Sequence, residues 1–250
     1  MIWPIYIPSK GRAGKSKLID QLLTESIPFE VFLEIEDADK YLAVWPGLKI
    51  KILSKSNQGI AYVRNAILSY ARASTSPWYW MFDDDITGFF ISHSKRNHRS
   101  TARKVLTDAQ QTIQSVPGAA QGSLEYQQFS WSQTKPLKLN SYCDVAVAIN
   151  TNLLKTITYR AHMDLKEDRD FTLQVLSMGY MTVRCSNLAF AAPKNGSNAG
   201  GLQDVYAQAG REEVASQRMA EAWPGICSPI TKPDGRKDVK INWSVFQTKP

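Results

Sequence analysis

Up to Phe82 the chain alternates short apolar runs with helix-like stretches, and this rhythm restricts the folds open to it more than any other feature. Ile2 to Ile7, Phe29 to Ile35, Leu48 to Leu53 and Trp78 to Phe82 read as strands, and Ser16 to Leu23, Ala38 to Val44 and Ile60 to Ala73 as helices. Strands joined through helices return to the same end of a sheet and pair in parallel. The expectation is an α/β domain with a mainly parallel sheet. Ligands of such sheets bind at the carboxyl ends of the strands. Two charged segments leave such ends, a basic loop after Ile7 and three aspartates after Phe82, so both are expected to border one cleft.

Within "PIYIPSKGRAGKSKLIDQLL" (residues 4–23), Gly14-Lys15-Ser16 supplies the end of a P-loop pattern, but Ser9 stands where the pattern needs its first glycine. A P-loop is therefore not expected. A basic loop with Lys10, Arg12, Lys15 and Lys17 remains, and it suits an anionic ligand.

Beyond Phe82 the pattern is less regular. The basic stretch "SHSKRNHRSTARK" spans 92–104, a helix-like segment runs to about Val116, and a Gln/Ser-rich stretch follows. Residues 92–142 read as an inserted, acceptor-side region. Asp144 to Ile149 reads as a strand, "LKEDRDFTLQVLSMGY" as a helix ending near Gly179, and a further strand leads to "PKNGSNAGG". An amphipathic helix from about Asp204 to Trp223 precedes a tail over 224–250, which reads either as a DNA-contacting segment or as a surface hairpin. Neither a repeat nor a low-complexity linker interrupts what reads as one domain over 1–250.

With 250 residues, 43% of them hydrophobic, the chain can bury a substantial core, and a net charge of +7 favours a polyanionic partner. Cys143, Cys185 and Cys227 are an odd, widely spaced set with no C-x-x-C, which indicates neither a zinc knuckle nor a disulfide framework and fits a reducing cytoplasm. No apolar run has the length of a membrane span or the form of a signal peptide. No obligate protein partner is indicated.

"WYWMFDDDI" is the most informative segment. In an extended chain Asp83 and Asp85 face one way and Asp84 the other. Two carboxylates on one side repel unless one is protonated or a cation lies between them. Mg²⁺ and Mn²⁺ accept such all-oxygen ligation, completed by phosphates and water. The plainer reading is a solvated acidic turn after a buried strand. Glu167, Asp168 and Asp170 form a second acidic group. They either complement the dipole of a helix first turn, or place Glu167 or Asp168 in the cleft as a general base.

Together, "IPSKGRA" after the first strand, "NQGIAYVRN" opening a helix, "WYWMFDDDI" and "EDRDFTLQVLSMGY" resemble a glycosyltransferase of the GT-A fold. The resemblance is closest to the phage DNA-base glycosyltransferases found with TET/JBP-type hydroxylases, relatives of the base-J glucosyltransferase, and it covers Ile2 to about Gly201. It implies a single Rossmann-like mixed, mostly parallel sheet flanked by helices, a UDP-sugar donor and Mn²⁺ or Mg²⁺. By position, Asp83 and Asp85 become the metal-binding D-x-D pair, with Asp85 the more direct ligand and Asp84 nearer the sugar or ribose. Pro8, Ser9, Lys10 and Arg12 line the nucleotide pocket, and Arg64 and Asn65 approach the diphosphate or uracil. Glu167 and Asp168 match the acidic pair of inverting members, with Asp168 the preferred base.

The resemblance departs at one point: "PKNGSNAGG" offers no histidine ligand after the last strand, and His93, His98 and His162 all precede it. Lys194, Gly196 and Gly200 either close over the diphosphate or belong to an ordinary loop.

The same resemblance, with Lys95, Arg96, Arg99, Arg103 and Lys104 as phosphate contacts, makes double-stranded DNA the leading acceptor. The accepting hydroxyl is that of a 5-hydroxymethylpyrimidine, 5-hydroxymethylcytosine first. Tyr126, Trp131 and Tyr142 are candidates to stack on the base. A solvated basic face accounts for the charges equally well. The rival readings are a GT-A enzyme with a protein or small-molecule acceptor, a nucleotidyltransferase, and a non-catalytic DNA-binding protein. A phage origin would place the protein in the host cytoplasm.

Overall fold

The computed structural model describes residues 1–193 and 210–247. The first third follows the expected alternation: β1 (Ile5–Pro8), α1 (Lys17–Thr24), β2 (Glu30–Leu33), α2 (Ile35–Val44), β3 (Ile50–Ile52), α3 (Ile60–Arg72) and β4 (Trp78–Phe82). Local signals set several boundaries. Ser16 caps α1 by accepting from the Ile19 N–H, and Gly59, at φ 82°, turns the chain into α3.

The chain continues through β5 (Gly88–His93), β6 (Arg96–Ser100), α4 (Ala102–Gln114), β7 (Ala119–Tyr126), α5 (Gln127–Ser130), β8 (Leu137–Leu139) and β9 (Ala146–Asn150). Next come α6 (Glu167–Ser177), β10 (Met181–Ala191), α7 (Arg211–Ala222), β11 (Cys227–Thr231) and β12 (Lys237–Ile241). The main sheet has the order β3-β2-β1-β4-β9-β7-β10-β5-β6, with β8 beside β10. Strands β1, β2, β3, β4, β6, β7 and β10 run one way, and β5, β8 and β9 the other. It is the mixed, mostly parallel sheet expected.

Side-chain alternation divides the core between two faces. Ile5, Ile7, Trp78, Trp80 and Phe82 pack with α1 and α4, while Tyr6, Tyr79 and Met81 pack with α3 and α6. A third cluster joins Met163 and Leu173 to Met219, Cys227 and Val239, seating α7 and the β11–β12 hairpin on α6. The 224–250 segment thus contains a packed hairpin.

Residues 92–142 do not form an insertion. They contribute β7, which lies inside the sheet between β9 and β10. This strand carries few apolar side chains because its buried positions include Gln121, Ser123 and Glu125. A Cβ on Gly122 would stand 2.3 Å from Ile113 Cδ1, so α4 rests directly on its backbone. The helix expected from Asp204 begins at Arg211, and residues 204–209 lie outside the described set.

Candidate active site

The carboxyl ends of β1 and β4 open into a cleft of about 1070 Å³, lined on one side by Pro8, Ser9, Lys10, Arg12, Arg64 and the three aspartates. Glu167 and Asp168 at the start of α6 also line it, as do Tyr126, Phe129, Tyr142 and Asp144, with Val145 O accepting the Asp83 N–H at 2.9 Å. The basic loop and the acids after Phe82 do share one cleft.

Within that loop the backbone is already engaged. The N–H of Ser9 bonds to Phe32 O (3.1 Å), that of Gly11 to Asp37 Oδ2 (2.7 Å) and that of Arg12 to the Tyr41 hydroxyl (3.0 Å). The loop is pinned to β2 and α2 and is not a phosphate-wrapping P-loop. Its side chains face the cleft, where Lys10 Nζ lies 2.7 Å from Glu34 Oε2 and 2.6 Å from Asn57 Oδ1.

The three aspartates occupy distinct environments. Asp84 is buried, takes the Arg12 Nη1 donor at 2.5 Å and accepts from Ser9 Oγ. Burial pushes its carboxyl up to about 6 against the opposing Arg12 guanidinium. Its oxygens thus lock the basic loop to β4 rather than facing the sugar or ribose as expected. Asp83 accepts from Arg64 Nη2 at 2.9 Å, whereas Asp85 has only Arg12 Nη1 at 3.4 Å, beyond good hydrogen-bond contact. Asp83 and Asp85 are both partly exposed to the cleft.

Burial pushes Asp83 up to about 7, with Arg64 opposing and Asp85, Asp84 and Asp168 adding to the rise. Glu167 moves the same way for the same first reason, desolvation, with Arg64 again opposing. An oxygen-only donor set with surplus negative charge is what a hard divalent cation requires, so Asp83 and Asp85 fit the metal that the fold family implies. Among the described residues no group of three or more His, Cys, Asp or Glu forms a metal site, so the remaining ligands would be substrate oxygens and water.

These shifts predict an inverted pH response for the ligand-free protein. Carboxyls raised above their unfolded values bind more protons when folded, so their contribution is full below about pH 4 and is lost as pH rises through about 6 to 7. Thermal unfolding midpoints are therefore expected to be higher near about pH 5 than near about pH 7.5. An equal or higher midpoint at the upper pH would show that these carboxyls are not raised.

Arg64 links the two acidic groups. Its Nη2 serves Asp83, its Nε lies 3.3 Å from Glu167 Oε1, and its guanidinium sits near the Tyr159 ring. Glu167 is nearly sealed by this contact, whereas Asp168 is more open and faces the cleft, with Oδ1 accepting from the Arg169 N–H at 2.7 Å. Asp170, by contrast, is buried against Arg160, Gln174 and Trp223.

Asn65 does not join the site. Its Nδ2 donates to Tyr159 O (2.7 Å) and its Oδ1 accepts from the Tyr159 N–H (2.9 Å), holding the loop before α6. Asn65→Ala is expected to lose about 1–3 kcal/mol of stability while leaving UDP affinity unchanged, measured by denaturant unfolding and nucleotide titration. A selective loss of UDP affinity would restore the donor role.

The basic stretch also lies elsewhere. Gly88 pairs with Ala191 at the cleft end, and β5 runs away from it to the Ser94–Lys95 turn. That turn, beside Arg96, is about 20 Å from the cleft end at the rise of an extended strand. Arg99 is exposed, and its guanidinium lies beside Gly88, nearer the cleft end. Arg103 donates to the Glu25 and Ser26 carbonyls, and Lys104 pairs with Asp108. His93 and His98 stack on the same hairpin and His162 is exposed, so none of them meets the aspartates. Trp131 is on the surface. Lys194, Gly196 and Gly200 lie outside the described residues.

Sequence reasoning missed the wall built by the C-terminal hairpin. Asp238 binds Lys166 (3.0 Å), Arg169 (2.8 Å) and Lys232 (2.5 Å), fastening β12 to the start of α6. Against the opposing effect of burial, these cations hold its carboxyl well below the ordinary range. Asp144 and Glu34 also line the cleft and carried no motif, and Asn57 lines it from the start of "NQGIAYVRN" though that motif had singled out Arg64 and Asn65.

A mixed, mostly parallel sheet flanked by helices, with acids and basic residues at the carboxyl edge of its strands, is the GT-A-like glycosyltransferase fold. Residues 3–201 match the family described as TET-Associated Glycosyltransferase, and the chain belongs to that family. No curated protein matches it. Among solved structures it is similar to GalNAc-T7 with UDP, GalNAc and Mn²⁺, at 8% identity and a TM-score of 0.53 over 89% of this chain. The chain spans about half of that protein, 48% of its length. It is also similar to A197 from STIV, at 16% identity and a TM-score of 0.46, covering 78% of this chain and 87% of that one. No described helix is long and apolar enough to cross a membrane.

Proposed function

We propose that the protein moves a hexose, glucose first, from a UDP-sugar to the hydroxyl of a 5-hydroxymethylpyrimidine in DNA, with 5-hydroxymethylcytosine the preferred base. One observation carries this beyond the family membership. One cleft is lined both by charged residues suited to a nucleotide-sugar, Asp83, Asp85, Arg12 and Arg64, and by aromatic residues suited to a planar acceptor, Tyr126, Phe129 and Tyr142.

Lys10 and Arg12 face the nucleotide, and Arg64, braced by Asp83 and Glu167, meets the diphosphate. Asp168 takes the proton of the attacking hydroxyl, whose oxygen bonds to the anomeric carbon as UDP leaves with the electron pair. In a retaining reaction Asp168 would orient the hydroxyl instead. A Mn²⁺ or Mg²⁺ ion held by Asp85 and Asp83 would neutralise charge on the departing diphosphate. UDP and Mn²⁺ in the GalNAc-T7 structure support the choice of donor and metal. Pro8 and Ser9 shape the nucleotide pocket.

UDP release from a panel of UDP-sugars, with and without Mn²⁺, against duplexes carrying cytosine, 5-methylcytosine, 5-hydroxymethylcytosine or 5-hydroxymethyluracil tests the reading. Release dependent on a hydroxymethylated duplex supports it. Release unaffected by DNA points to another acceptor, pyrophosphate in place of UDP to a nucleotidyltransferase, and no turnover to a binding protein. Replacing Lys95 and Arg96 by alanine is expected to leave transfer and its salt slope within about two-fold, because their hairpin turn points away from the cleft. A markedly shallower salt slope would return them to the DNA-binding surface.

A further inference from the structure

The C-terminal hairpin brings to the cleft a group of cations that the reaction described above does not use. Three of them converge on the one carboxylate of Asp238: Lys166 and Arg169 on Oδ1, Lys232 on Oδ2. Three positive charges around one negative leave a local surplus, and like charges held this close repel unless a further anion joins them. The hairpin turn adds to the surplus. The Lys232 N–H bonds to Arg236 O at 2.8 Å, next to the Thr231–Lys237 pair of the ladder, so Lys232 and Arg236 stand opposite each other. Like charges directly opposite across a strand pair are unfavourable in the absence of an anion.

These cations are open to a ligand. The side chains of Arg169, Lys232 and Arg236 keep 28%, 37% and 40% of their surface exposed, and all three line the cleft. Arg236 pairs with Asp234 of its own turn (2.7 Å). The acids that line the cleft from α6, α7 and the hairpin are Glu167, Asp168, Glu212 and Asp238. Of these, Glu167 is engaged by Arg64 and Asp238 is already outnumbered.

The position of the cluster indicates which substrate it meets. Arg169 directly follows Asp168, and its N–H bonds to Asp168 Oδ1 at 2.7 Å. An anion held by Arg169 and the hairpin therefore adjoins the acid that receives the acceptor's proton, whereas the departing diphosphate is met by Arg12 and Arg64. The hairpin also lies beyond residues 3–201, the part matched to the family.

We propose that Arg169, Lys232 and Arg236 grip the phosphate backbone of the DNA acceptor beside the target nucleotide, so that the C-terminal hairpin, and not the 92–104 stretch, supplies the nucleic-acid contacts. This rests on the DNA-acceptor reading. Phosphate contacts carry no sequence information, but they fix the register and orientation of the strand, which a base turned into the cleft requires. The two guanidiniums suit a phosphodiester through paired N–H donors, and the lysine acts as a point charge.

The test compares the parent with Lys232→Ala/Arg236→Ala and with Lys95→Ala/Arg96→Ala, which removes the same charge from a turn pointing away from the cleft. Affinity for an unmodified duplex is measured over a series of salt concentrations, and UDP is titrated in parallel. The hairpin variant is expected to show a salt slope shallower by about 2 with UDP affinity within about two-fold of the parent, and the control pair an unchanged slope. An unchanged slope in the hairpin variant overturns the proposal. So does an equal change in both variants, which would reflect net charge alone, or a loss confined to UDP, which would assign these cations to the donor diphosphate. If the double variant does not fold, Arg236→Ala replaces it; its slope should fall by about 1, and an unchanged slope overturns the proposal. A parent that binds no duplex removes the DNA-acceptor reading itself, and the proposal with it.

Discussion

Arg64→Met is expected to destabilise the protein by about 3–5 kcal/mol near neutral pH, the range for removing one partner of a buried ion pair. Arg64 is 4% exposed and neutralises both Asp83, through Nη2, and Glu167, through Nε. Methionine retains much of the apolar stem, so packing alone would give a smaller loss. The penalty comes from leaving two desolvated carboxylates without their cation. It must therefore depend on pH: protonating both acids removes the uncompensated charge, so the variant should approach the parent as pH falls towards about 5. Denaturant unfolding at about pH 7.5 and about pH 5 separates the two causes. A loss equal at both values would assign Arg64 a packing role, and a loss below about 1 kcal/mol would refute the buried ion pair.

Asp85→Ala is expected to act on turnover and not on folding. Asp85 has no hydrogen-bonding cation and adds to the charge that raises Asp83, so its removal should leave the melting temperature unchanged or slightly higher. If Asp85 holds the ion that neutralises the leaving diphosphate, donor turnover should fall by about 10²–10³-fold or more, the cost of losing one such stabilising group. Asp84→Ala should show the opposite balance, since it frees Arg12 and Ser9 from the strand and destabilises the loop. Turnover of Asp85→Ala within about ten-fold of the parent would remove Asp85 from the metal site.

Much of this arrangement was visible in the sequence because its first third is locally consistent. The apolar runs match buried strands there, and both charged segments lie where a parallel sheet places its ligands. Legibility was lost where tertiary pairing overrode composition. Strand β7 buries Gln121, Ser123 and Glu125, and Glu125 is tolerated only because Arg184, far along the chain, neutralises it. Basic residues between 92 and 104 resembled a phosphate-binding run, but hairpin direction and pairing with Asp108 and the α1 end distribute them over other surfaces. Asn65 sits next to Arg64 in sequence yet turns to a different task, since adjacent helix positions point about 100° apart. Asp144 had no motif, and only three-dimensional packing shows that it lines the cleft between Tyr126 and the buried Arg184.

The most direct measurement is mass spectrometry of nucleosides digested from a 5-hydroxymethylcytosine duplex after incubation with UDP-glucose, Mn²⁺ and the protein. The account predicts a hexosylated hydroxymethylcytidine product that is absent with Asp85→Ala. Unmodified nucleosides, with UDP nonetheless accumulating, would contradict the DNA acceptor and leave a glycosyltransferase that acts on something else.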